Sequence, residues 1–265
     1  MLILIRGAGD IASGIAIRLY RSGFAVVMTD TALPTAIRRT VSFSGAITSG
    51  SQTVEDVTAR LAGSVDETAG ILGGGDIAVL VDEGCACLEA LRPDAVVDAI
   101  LAKRNLGTAM DMAPAVVGVG PGFTAGVDCH AVVETMRGHT LGRVYYEGSA
   151  LPNTAVPGLI GGFAGERVLR APADGVFRQL REIGELVESG ETVGTVDGKP
   201  MRCTISGVLR GILADGTPVT RGMKSGDVDP RGNVENCYTV SDKALAVGGG
   251  ALEAVLKLTG AVRGK

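Results

Sequence analysis

The sequence is poor in the features that mark several protein classes. It has no run of five or more basic residues, and its net charge is only −4. Nucleic acid and anionic membranes are therefore poor candidate partners. It lacks any stretch of about 18 uncharged apolar residues, the length a membrane-spanning helix needs. The apolar opening Met1–Ile5 meets Arg6 and Asp10 too soon to serve as the core of a signal peptide. The five cysteines (Cys85, Cys87, Cys129, Cys203 and Cys237) are odd in number and form no C-x-x-C pair. Neither a disulfide framework nor a structural zinc site is expected, and a cytoplasmic location is the default.

What the sequence has in excess is glycine, 40 of 265 residues, about double the usual ~7%. The glycines follow no Gly-X-Y period, so they are expected at turns and close backbone approaches. The length suits one to two domains at roughly 150 residues each.

Short Val- and Ile-rich runs at Leu2–Ile5, Ala25–Thr29, Ile77–Val81, Ala95–Val97 and Ala115–Val119 read as buried strands. Ile11, Ile15 and Leu19 form a helical stripe between the first two, stopped by Gly23, and Val54, Val57 and Leu61 suggest a second one. Alternating strands and helices predict an α/β domain with a Rossmann-like, mostly parallel sheet over residues 1–165.

Beyond it, 166–240 shows short alternating stretches cut by glycine. Asp174-Gly-Val-Phe and Ser206-Gly-Val-Leu open two similar segments, an internal repeat of about 30 residues that predicts two interlocked hairpin units. This reads as a small all-β barrel-sandwich hybrid module of the biotinyl/lipoyl type. Lys199 stands at its hairpin tip without the flanking sequence of a modified lysine, so it is expected to stay unmodified. Residues 241–265 return to helix, with Gly248-Gly-Gly as a break.

Gly7-Ala8-Gly9-Asp10-Ile11-Ala12 is a G-x-G-x-x-A loop between a strand and a helix. Gly7 would allow the turn, Gly9 the approach of a pyrophosphate, and Ala12 the packing of helix on sheet. The helix N-terminus would supply N–H groups for the anion. Asp30 closes the second strand, where a ribose contact is expected, favouring NAD, while Arg38 and Arg39 keep NADP open. Asp10 lies inside the loop, and Arg6 would offset its charge. A second loop, Gly120-Pro-Gly122-Phe-Thr124, offers an anion nest at another strand end, and Lys103 is a further ligand contact. If Cys129–Met136 is helical, His130 and Glu134 share a face, with His130 as general base or metal ligand and Asp128 or Glu134 orienting it. The ligand set for a metal is incomplete, so no metal is expected.

These and further stretches resemble the YqeB-like family of the selenium-dependent molybdenum hydroxylase system. The resemblance is carried by Ile5-Arg-Gly-Ala-Gly-Asp-Ile-Ala, Val97-Asp-Ala-Ile-Leu-Ala-Lys and Gly118-Val-Gly-Pro-Gly-Phe-Thr-Ala-Gly. His130-Ala-Val-Val-Glu-Thr-Met-Arg-Gly-His, Pro152-Asn-Thr, Ile205-Ser-Gly-Val-Leu-Arg-Gly and Met223-Lys-Ser-Gly-Asp-Val-Asp-Pro-Arg add to it. Cys129 departs from the aliphatic residue more frequent there, which argues against a thiol mechanism. The resemblance implies an accessory or maturation role for a xanthine dehydrogenase-type enzyme. The expected ligand is NAD(P) or a molybdopterin nucleotide, the expected partners are hydroxylase subunits, and a homo-oligomer is left open. The competing expectation is an NAD(P)-dependent oxidoreductase acting on a small metabolite with His130 as acid/base.

Overall fold

A computed structural model describes residues 1–154 and 156–262. They fall into two compact units. The first gathers residues 1–34, 42–154 and the chain from 240 onward; the second gathers 35–41 and the chain up to 239.

The first unit is α/β. Its strands are β1 (Leu2–Arg6), β2 (Ala25–Asp30), β3 (Ser51–Val54), β4 (Val57–Ala62), β5 (Ile77–Val81), β6 (Ala95–Asp98), β7 (Ala115–Val119), β8 (Ala131–Val133) and β9 (Val144–Tyr145). Its helices are α1 (Asp10–Arg21), α2 (Gly45–Ser49), α3 (Glu67–Gly73), α4 (Leu88–Leu91) and α5 (Asp242–Thr259). One mixed sheet runs β3-β4-β5-β2-β1-β6-β7-β8-β9. Every pairing from β4 to β8 is parallel, and only the edge strands β3 and β9 are antiparallel.

The five strands read from unbroken apolar runs are all present. They are buried because helices cover the sheet: Leu4, Val27, Ala78, Val96 and Val116 share one cluster with Ile71, Leu72, Leu88 and Leu91. A parallel sheet covered on its faces needs apolar residues throughout, not alternation.

Three expectations are corrected here. Val54, Val57 and Leu61 do not form a helical stripe. They lie on the β3–β4 hairpin, turned at Glu55 with φ of 55°. The alternating burial of β4 fits a strand with one exposed side. Residues 131–133 form β8 and not a helix, pairing with β7 in parallel; Val132 and Val133 are β-branched, and all three positions are buried there. Finally, α5 runs unbroken through Gly248-Gly-Gly. A Cβ at Gly248 would lie 2.9 Å from the Gly14 carbonyl oxygen of α1, so this glycine permits two helices to touch backbone to backbone.

The second unit is antiparallel. Its strands are β10 (Val168–Arg170), β11 (Gly175–Gln179), β12 (Leu186–Val187), β13 (Thr192–Val196), β14 (Lys199–Arg202), β15 (Gly207–Ile212), β16 (Pro218–Val219) and β17 (Lys224–Asp229). Two four-stranded sheets form, β10-β17-β15-β12 and β14-β13-β11-β16. Positions 32 residues apart correspond, as Gly175 with Gly207, Gly184 with Gly216, Gly190 with Gly222 and Val187 with Val219. The two halves exchange strands: β12 of the first pairs with β15 of the second, and β16 of the second with β11 of the first. Hydrogen bonds repeat the exchange, Gly184 N–H to Leu209 O and Gly216 N–H to Phe177 O, both 2.9 Å. Phe177 and Leu209, corresponding positions, are both fully buried in the unit's core.

A charge network, buried except at Arg231, closes this unit. Arg210 bonds Asp227 through Nε at 2.7 Å and Asp229 at 3.3 Å, Arg167 bonds Asp227 at 3.0 Å, and Arg231 grips Asp229 with two nitrogens. Among the described residues of the chain, no helix is long and apolar enough to cross a membrane.

Candidate functional site

The carboxyl ends of the parallel strands carry the two glycine loops. Gly7 leaves β1 with φ of +95°, and its amide donates to Thr29 O at 2.7 Å. A Cβ there would lie 3.0 Å from Ala99 O, so Gly7 serves both the turn and the loop that follows β6. Gly9 behaves differently. Its backbone is extended, and a Cβ on it would meet nothing within 4 Å. It is the N-cap of α1, and no side chain caps that helix. Open space thus faces a helix N-terminus, where amide donors and the helix dipole favour an anion. Ala12 is buried, and Asp10 begins the first turn, partly exposed.

Asp30 is held close to this loop. Its Oδ2 accepts from the Ala8 amide and its Oδ1 from the Thr31 amide, both at 2.8 Å. Burial pushes its carboxyl above the usual range, and the two amide bonds act in the opposite direction. Asp30 is therefore first of all a strut of the glycine loop. Arg38 and Arg39 belong to the second unit, where they bond Asn236 O, Thr239 O, Ile212 O and Gln179.

The expectation that Arg6 offsets Asp10 is corrected. Arg6 is buried and paired with Asp98 at 3.1 Å, with further bonds to Thr108 Oγ1 and, at 3.2 Å, to Leu106 O. Asp98 also accepts from Thr108 Oγ1 at 2.5 Å. The two strand ends that could have presented opposite charges to a ligand consume them on each other.

The second loop is knit internally. A Cβ at Gly122 would lie 2.6 Å from Arg104 N, and one at Gly120 2.8 Å from Thr135 Oγ1. These glycines make room for protein neighbours. Thr124 donates its amide to Asp128 at 2.8 Å and shares a 2.9 Å hydroxyl contact with Ser149. Asp128 also accepts from Asn105 at 3.1 Å. Lys103 stands exposed between the two loops in a left-handed conformation, φ 65°.

His130 and Glu134 are not brought onto one helix face. They flank the two ends of β8. His130 Nδ1 accepts from the Val116 amide at 3.0 Å, which leaves the imidazole proton on Nε2. The Glu134 carboxylate, fully buried, accepts from the amides of Thr135, Met136 and Leu151 at 2.7–2.9 Å. Such a carboxylate organises a turn. Cys129 is also fully buried, and burial pushes its thiol up to about 11, far from a nucleophile's range. Among the described residues, no three His, Cys, Asp or Glu side chains cluster as metal ligands would.

No protein-family model matches the chain. A curated relative does: "Uncharacterized protein YqeB" of Escherichia coli strain K12, 52% identical over 257 residues and 97% of this chain. The chain is YqeB-like. It spans about half of that relative's length, 48%. Solved structures overlap only loosely. An aspartoacylase family protein from Mesorhizobium loti gives a TM-score of 0.27 at 10% identity, over 86% of this chain and 84% of that one. A succinylglutamate desuccinylase from Silicibacter sp. gives 0.25 at 13%, over 86% and 84%. At such scores no shared fold follows.

Two features of the YqeB-like chain were not read from sequence. One is the Arg6–Asp98–Thr108 cluster, signalled only by a charged residue at each strand end. The other is a cavity at the ends of β4 and β5, one wall of which, Leu61 and Ala62, belongs to a strand whose spacing also fits a helix.

Proposed function

We propose that this chain is a nucleotide-binding accessory protein, holding a phosphate group at Gly9 and the N-terminus of α1. The observation that carries the reading is the uncapped helix start facing open space at a residue with no packing reason to be glycine. Strand order supports it. Leaving aside β3 and β4, which extend the sheet beyond β5, the run β5-β2-β1-β6-β7-β8 follows the 3-2-1-4-5-6 order of Rossmann-like dinucleotide folds, with its reversal between β1 and β6, beside the loop. The residues suit a phosphate-bearing group, NAD(P) or a molybdopterin nucleotide. The amides of α1 would hold the phosphate, Asp30 would keep the loop in shape, and Lys103 would face the same edge of the sheet. The strand exchange of the second unit supports reading it as a barrel-sandwich hybrid, a docking module.

In its full form the proposal makes the chain a maturation factor for a selenium-dependent molybdenum hydroxylase, working in the cytoplasm with hydroxylase subunits. Its support is the motif resemblance to the YqeB-like family. Deleting the gene in a host that carries such an enzyme should leave the hydroxylase expressed but inactive and deficient in its metal centre. Normal activity with normal metal content in the deletion strain overturns the maturation role. The oxidoreductase alternative needs a histidine beside the nicotinamide, and His130 has its Nδ1 engaged by the sheet at the opening end of β8.

A further inference from the structure

The carboxyl edge of the sheet carries a second recess. A cavity of about 470 Å³ opens where β4 and β5 end, walled by Leu61, Val65, Val81, Ala86 and Ala90, with Asp82 among its few polar groups. That volume lies within the ~300–1,000 Å³ of small-molecule sites, which are mostly apolar with a few fixed polar groups. Val81 shows why the recess is unusual. It ends a strand whose other residues are buried, yet 48% of it is exposed. Asp82 is a fixed acceptor, its two oxygens held by the Ala86 amide at 2.9 Å and the Cys87 amide at 2.8 Å.

Hydrogen bonds through Asp30 link the residues of the recess to the glycine loop. Ala8 donates to the Asp30 carboxylate, and Asp82 donates its amide to Asp30 O at 3.1 Å. All the intervening strands are parallel, so both features lie on one edge of the sheet. Strands are spaced about 4.8 Å apart, which puts the β5–β4 cleft roughly 10–14 Å from β1. A bare phosphate cannot span that distance, whereas an extended nucleoside diphosphate can.

We infer that the cavity receives the base of a nucleoside diphosphate whose phosphates sit at Gly9. This rests on the phosphate-binding reading of that loop. The flat ring covers Val81 and the two alanines, and Asp82 accepts from an exocyclic amino or ring N–H group. The ribose passes over Asp30.

Calorimetry on the full chain with pyrophosphate, ADP, GDP, CDP and UDP tests this. At least one nucleotide should bind tenfold or more tightly than pyrophosphate. Ala90→Phe, at an exposed helical position, should erase that advantage and leave both pyrophosphate binding and the melting temperature unchanged. If pyrophosphate binds but no nucleotide binds more tightly, the base site is overturned and the phosphate site stands. The same holds if the advantage survives in both Ala90→Phe and Ala86→Phe. If none of the five binds, both readings fall.

Discussion

Arg6 and Asp98, the last residues of β1 and β6, form an ion pair at 3.1 Å with side chains only 4% and 2% exposed. The pair sits where the strand order reverses, and Thr108 ties it to the loop beyond β6. Buried pairs are costly to break from one side, because the remaining charge loses its partner without regaining water. Arg6→Met should destabilise the chain by about 3–5 kcal/mol in urea unfolding. Arg6→Met with Asp98→Asn should recover part of that loss. Equal costs for the single and double variants would show that the pair contributes packing alone.

The two glycines of the first loop separate folding from binding. Gly7 combines a positive φ with backbone 3.0 Å from where its Cβ would be. Gly7→Ala should therefore cost about 1–3 kcal/mol of stability. Gly9 has neither constraint. Gly9→Val should melt within a few degrees of the parent and yet lose phosphate binding at least tenfold by calorimetry. Unchanged binding would make the loop a simple turn.

Much of the first unit was legible because buried parallel strands are unbroken apolar runs, and the Gly7–Ala12 signature has its strand and helix in place. The hairpin at 51–62 was not, since Val54, Val57 and Leu61 satisfy a helical spacing as well as two strand positions. What settles them is partner geometry, β4 against β5 on one side and β3 on the other. His130 and Glu134 failed for the same reason: four residues apart reads as one helical turn, but here it spans a short strand. The 32-residue repeat was visible because glycines must recur where the backbone turns. The repeat also pointed to interlocked halves, and β12 with β15 and β16 with β11 do pair across them; which strands pair in which register is long-range and not set by the local pattern.

Glycines of α5 make a second contrast within one tripeptide. Gly248 lies against Arg18 Cγ and the Gly14 carbonyl, at 2.8 and 2.9 Å from its would-be Cβ, whereas Gly249 has nothing within 4 Å. Gly249→Ala should stabilise the chain by up to about 1 kcal/mol through helix propensity. Gly248→Ala has the same propensity gain but must push α1 and α5 apart, so it should lower the melting temperature. Equal shifts in thermal denaturation would mean that the helices do not touch there.

Asp229 predicts how the second unit meets acid. Burial alone would raise its carboxyl. The hydrogen bonds from the Arg231 side chain and amide, with the charges of Arg210 and Arg231, outweigh burial and hold it at about 2, against 3.8 for a free aspartate. A carboxylate lowered in the folded state contributes stability in full above its unfolded value, and loses it as pH falls toward the folded one. The contribution is roughly 2 kcal/mol at neutral pH and should vanish between about pH 4 and pH 2. Asp229→Asn removes the titrating group but leaves Arg210 and Arg231 short of one negative charge. It should be less stable than the parent at pH 7, with the gap closing across that window as the parent's own carboxylate takes up its proton. Denaturant melts of both proteins at pH 7, 4, 3 and 2 measure this directly. A gap that stays constant down to pH 2 would assign the cost to lost packing and not to charge.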